Sequence, residues 1–165
     1  MTVRQCIPWP DKRLRTPAEK VEEITDEIRA IWQDMIDTMD AMPGVGLAAP
    51  QIGVMLQLAV VDASDARNRR IRMANPEVLE ASSIMNEHEE ASPNLPGVYA
   101  KVKRPRGVAV RFLDENGVYV RRDFVGLEAT SVQHQIDHLQ GKMYFDRVSK
   151  VKRDMLLRKA RKKNG

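Results

Sequence analysis

The chain has 165 residues, 27 Lys+Arg against 23 Asp+Glu, a formal charge of +4 and a single cysteine, Cys6. With 42% hydrophobic and 30% charged residues it fits one globular domain, 1–165, and excludes a disordered chain, an intrachain disulfide framework and a multi-thiolate zinc site. No run nears the ~20 apolar residues of a membrane span, and the first residues lack an apolar signal-peptide core, so a cytoplasmic location without membrane contact is expected.

The opening segment is broken by Pro8, Pro10 and Pro17 and reads as irregular. Thr25 then fits an N-cap, with Asp26 and Glu27 in the first turn. Ile28, Ile31, Trp32, Met35, Ile36, Met39 and Met42 recur at helical spacing until Pro43 and Gly44, which predicts an amphipathic helix with a Met-lined core face. Strands are predicted over 56–61 and 72–75, the second stopped by Pro76. An alternating run over 108–112, a turn at Asn116-Gly117 and a second run over 118–120 predict a hairpin. The helical period returns from about Leu127 and closes at Gly141. A last helix from about 149 is expected to turn Val151, Met155 and Ala160 inward. Residues 147–165 hold nine cations against one acid, a net +8, which leaves −4 on the rest of the chain. The order of helices and short strands indicates an α+β fold.

Two segments carry chemistry. In His134-Gln135-Ile136-Asp137-His138 the histidines stand at i and i+4, one face of a helix, from which both can reach one divalent metal. Hydrolases with this spacing place Glu after the first His as general base; here the residue is Gln135, which cannot exchange a proton near neutral pH. Residues 44–51, Gly-Val-Gly-Leu-Ala-Ala-Pro-Gln, form a small-residue turn that lets backbone approach a ligand and presents the Gln51 amide. The absence of Lys-Ser/Thr after the glycines argues against a phosphate loop.

At these motifs the sequence resembles the peptide deformylase family. Residues 44–51 match its G-x-G-L-A-A-x-Q motif at every fixed position, and 134–138 match the frame of H-E-x-x-H, followed by Leu139 and Gly141. The resemblance runs from 11–15 through Asn75-Pro76 to 144–146. It implies short antiparallel sheets packed around a central helix carrying His134 and His138, with a C-terminal helix. It also implies an Fe(II) or Zn centre on two His and a Cys, which removes the formyl group from the N-terminal Met of new polypeptides. By the same resemblance Gly44, Val45, Gly46, Leu47 and Glu90 line the substrate pocket and Gln51 supplies an oxyanion amide.

The family's second motif, E-G-C-L-S, here reads Glu90-Ala91-Ser92-Pro93-Asn94. Ser92 replaces the Cys ligand, and a neutral hydroxyl is a much poorer metal ligand than a thiolate. Pro93 stands where a backbone N–H holds the oxyanion, and proline has none. The expectation is a family protein that receives a formyl-Met-like chain end, holds its metal weakly or not at all, and hydrolyses poorly. Two alternatives remain open. One is an active deformylase or related amidase with a refilled site, through a nearby Glu or a three-histidine set of His88, His134 and His138; against it, residues 87–90 read as a solvated loop. The other is a ribosome- or RNA-associated protein that binds through its basic C-terminal helix, with a vestigial pocket. Glu90 is expected to support its loop, Asp137 to be structural or to orient a histidine, and Cys6 to be a packed thiol away from the site.

Overall fold

The Thr25 hydroxyl accepts from the Ile28 N–H and opens helix α1 (Asp26–Ala41), whose Ile28, Trp32, Met35, Ile36 and Met39 are buried as their spacing requires. This computed structural model describes residues 1–164. Seven strands follow: β1 (Gly46–Ala48), β2 (Leu58–Val61), β3 (Ile71–Ala81), β4 (Met85–Glu90), β5 (Ala100–Pro105), β6 (Gly107–Leu113) and β7 (Tyr119–Val125). Helix α2 (Gly126–Leu139) comes next, and α3 (Lys150–Asn164) ends the chain. Five strands form an antiparallel sheet in the order β1-β2-β3-β6-β7, and β4 pairs with β5 in a separate antiparallel ribbon.

Strand parity decides which helix each side chain meets. Leu58 and Val60 join the α1 cluster with Trp32, Met35 and Leu113, while Ala59 and Val61 join Phe112, Phe124, Val132 and Ile136 on the α2 side. The sheet therefore lies between α1 and α2. Gly117, at φ 76°, makes the turn of the β6–β7 hairpin. Cys6 is half-buried against the α1 cluster. Among the described residues no helix is long and apolar enough to cross a membrane.

Three expectations need correction. Pro76 does not stop β3. The ladder passes from Ala74 opposite Leu113 to Glu77 opposite Arg111, so Pro76 falls in an irregularity where no N–H is needed. Asn75, at φ 51°, turns its side chain out of the sheet to bond Val21 through both N–H and C=O. Residues 87–90 are not a loop: they belong to β4, with Asn86, His88 and Glu90 inward and Glu87 and Glu89 outward. Finally, α3 does not use Val151 and Met155, which are 70% and 60% exposed. Its inner row is Leu156 and Ala160, packed on Val98, Val102, Tyr144 and Phe145. The row continues to Lys163, whose Nζ donates to the Gly97 carbonyl at 2.9 Å.

Candidate active site

A cleft of about 410 Å³ opens between the outer edge of β1, the free edge of β4 and the face of α2. Gly44, Val45, Gly46, Gln51, His88, Glu90, Ser92, Pro93, His134 and Gln135 all line it, so residues far apart in sequence converge as expected. Leu47 does not line it: as the middle residue of β1 it points the other way, into the α1 core. A Cβ at Gly46 would lie 2.4 Å from Ser131 Oγ and 2.5 Å from Gln135 Nε2, so a side chain there would have to displace both.

His134 and His138 are buried one turn apart on α2, with their Nε2 atoms 3.1 Å apart. His134 Nδ1 donates to Glu90 Oε1 at 2.8 Å, because the ionised carboxylate can only accept. The two Nε2 atoms share one hydrogen bond, and His138 Nδ1 is buried with no partner among the described residues. Burial, followed by the charges of His134 and Arg104, pushes His138 well below the ordinary imidazole value, so it is neutral.

Behind this pair runs a buried ionic chain that the sequence reading missed. Arg104, 1% exposed, forms a two-point bond to Glu90 at 2.7 and 2.9 Å and reaches Asp137 at 2.9 Å. Arg147 closes on Asp137 at 2.7 and 3.0 Å. Asp137 therefore serves the arginines, and Glu90 is the residue that orients a histidine. A signal for Arg104 was present: on β5 it shares the inward parity of Val102, opposite to Lys101 and Lys103. Burial alone would raise both carboxyls. The His134 and Arg104 bonds at Glu90, and the Arg147 and Arg104 bonds at Asp137, outweigh it and hold both below the ordinary carboxylate value.

Ser92, Asn94 and Gln51 form a closed polar knot. Ser92 Oγ donates to Asn94 Oδ1 at 2.9 Å and accepts from Gln51 Nε2 at 3.3 Å and from the Asn94 N–H at 3.4 Å. Its hydrogen and both lone pairs are thus engaged. Gln51 Nε2 also donates to Asn94 Oδ1 at 2.9 Å, and Gln51 Oε1 accepts from the Ala48 N–H at 2.9 Å. Asn94 is tied in turn to the carbonyls of Ile7 and Gln51. Asn94 was not among the expected site residues; it follows Ser92 by two positions, the reach of a local side-chain turn. Gln135, 4% exposed, has a buried Oε1 without a partner. His88 bonds Thr130 Oγ1 through Nδ1 at 2.9 Å.

This arrangement, two histidines on a central helix beside an edge-strand cleft, is that of a hydrolase fold with relatives on record. A family model described as polypeptide deformylase matches residues 3–154. A peptide deformylase of Afipia carboxidovorans is 43% identical over 161 residues, 96% of this chain and 94% of its own length. A Legionella pneumophila peptide deformylase structure has a TM-score of 0.90 at 40% identity, covering 97% of this chain and 94% of that one. An Ehrlichia chaffeensis peptide deformylase solved with actinonin has a TM-score of 0.92 at 34% identity, with 99% of each chain covered. The chain belongs to the peptide deformylase family.

The family is metal-dependent, and the residues present do not fit a three-ligand centre. His134 and His138 offer two nitrogens. Ser92, expected at the third position, has its hydroxyl engaged by Gln51 and Asn94. His88 bonds Thr130 through Nδ1 and does not group with the two histidines. Among the described residues, no group of three or more His, Cys, Asp or Glu side chains is placed to hold a metal ion.

Proposed function

We propose that this protein keeps the family's recognition of a formyl-methionyl-like chain end and has lost efficient hydrolysis of it. The observation that carries the reading is the Ser92–Asn94–Gln51 knot. It engages the third ligand position and, in the same bonds, the Gln51 amide nitrogen expected to hold an oxyanion. Pro93 offers no N–H beside it, and Gln135 offers no base. Loss of a positioned base costs about 10²–10⁴-fold, and loss of one oxyanion donor about 10²–10³-fold. Groups that act as a unit are not additive, so these factors do not multiply. Among the described residues His88 does not group with His134 and His138 as a metal-holding set, which weighs against a refilled three-histidine site.

Binding has a simple physical basis. β1 and β4 each present an unpaired edge to the cleft, and an extended peptide can add between them through main-chain hydrogen bonds. The exposed cations of α3, anchored by Leu156 and Ala160, form a second surface suited to phosphate-backbone contact with the ribosome or RNA, with salt-sensitive affinity.

The test is an assay of a formyl-Met peptide with Fe(II), Ni or Zn added under anaerobic conditions, together with metal analysis of the purified protein. Turnover near that of ordinary family members would sink the proposal. The joint substitution Ser92→Cys, Pro93→Leu and Gln135→Glu is expected to raise bound metal towards one per chain and turnover by at least 10²-fold.

A further inference from the structure

Along one face of β4, side chains recur every second residue and advance about 6.6 Å. Along one face of α2 they recur every fourth residue and advance about 6 Å. The repeats match, and the strand lies on the helix in two rungs: Glu90 on His134 at 2.8 Å, and His88 on Thr130 at 2.9 Å. The first rung is sealed by Arg104. The second opens on the cleft, with Thr130 buried and His88 half-buried. His88 spends Nδ1 on Thr130, and its Nε2 has no partner among the described residues. That nitrogen is not used by the site as described above.

We infer that this polar wall makes the cleft selective for a chain end whose first side chain is a primary amide of glutamine length, with His88 as the specificity-determining residue. The inference rests on the reading that formylated chain ends bind here, and it names which of them bind best. Glutamine and methionine are unbranched and similar in length, so volume does not separate them. Chemistry does. In the tautomer with the proton on Nε2, the Thr130 hydroxyl donates to Nδ1 and the ring presents a donor to the cleft. A carboxamide oxygen accepts from that donor, and in the other tautomer a carboxamide N–H donates to the same nitrogen. An alkyl or thioether chain supplies no N–H, and displaces water from polar groups it cannot replace. Sites built to hydrogen-bond a ligand group discriminate sharply against analogues that lack it.

The experiment is calorimetric titration of the full chain with formyl-Gln-Ala-Ser, formyl-Met-Ala-Ser and formyl-norleucyl-Ala-Ser. The glutamine peptide is expected to bind at least fivefold more tightly than the other two. His88→Leu and Thr130→Val, each checked for folding by circular dichroism, should each bring that ratio close to one. Equal or tighter binding of the methionine or norleucine peptide to the unmodified protein overturns the inference and leaves chain-end binding standing. A glutamine preference that persists in His88→Leu overturns the assignment to His88. If none of the three peptides binds, chain-end recognition and this inference fall together.

Discussion

In the proposed reading Ser92, Pro93 and Gln135 occupy three positions of the family's reaction, and they depart from it differently. The first is a change of ligand chemistry, the second removes a backbone donor, and the third exchanges a carboxylate for an amide of the same shape. Asn94 makes the first change structural, since it holds Ser92 Oγ at 2.9 Å and gives it a role in the fold. Arg104 has a different role, set by electrostatics. It neutralises two buried carboxylates at once, Glu90 and Asp137. Removing one partner of such a group strands the others without water. Arg104→Met is therefore expected to lower stability by about 3–5 kcal/mol, measured by urea unfolding, with Glu90 no longer fixed against His134.

The ribbon of β4 and β5 and the helix α3 are the elements whose inner faces were least evident. On β4 the alternation runs through polar residues, so His88 and Glu90 face inward while no apolar residue marks that side. The face is chosen by what α2 presents, Thr130 and His134. On α3 two rows compete, 151/155 and 156/160, and only the second meets Tyr144 and Phe145. Leu156, 7% exposed, is expected to cost about 2–3 kcal/mol when replaced by Ala. For a chain of this size that lowers the melting temperature by roughly 5–10 °C. Met155→Ala, at a position 60% exposed, should leave it within about 2 °C. Thermal unfolding of the two variants side by side checks both the helix face and the packing.

Across the whole molecule, charge is organised by depth. Of the buried charges, Glu90, Arg104 and Asp137 are paired with one another, Asp62 accepts from Ser64, and most of the cations of α3 stand in solvent. Asp40 and Asp146 are also held below the ordinary carboxylate value: burial opposes this, and the bonds from Arg67 and Arg70 to Asp40, and from Arg15 to Asp146, overcome it. A carboxyl with a lowered folded-state pKa binds fewer protons when folded than when unfolded. Its contribution is complete above the unfolded value, near pH 4, and is lost as pH falls through the lower folded value. Stability is therefore expected to drop steeply on acidification below about pH 4. Denaturant midpoints measured from pH 6 to pH 2 check this, and Arg104→Met should show a shallower acid limb than the unmodified protein.

The sequence by itself determined α1, the β6–β7 hairpin, α2 and the family, because each rests on local periodicity, turn chemistry or contiguous motifs. It also exposed the substitutions at 92, 93 and 135, which are visible residue by residue. Only the tertiary structure decided what fills the gap they leave. That Ser92 is bound by Asn94 and Gln51, that Glu90 rather than Asp137 orients His134, and that His88 turns to Thr130 are contacts between distant or differently packed segments. Hydrogen-bond saturation is a property of the assembled site: a hydroxyl or an amide is free or spent according to its neighbours. The single cysteine and the +4 charge thus describe a chain, and the folded chain resolves them into a serine bound in a closed polar knot and a buried ionic core beneath a basic surface helix.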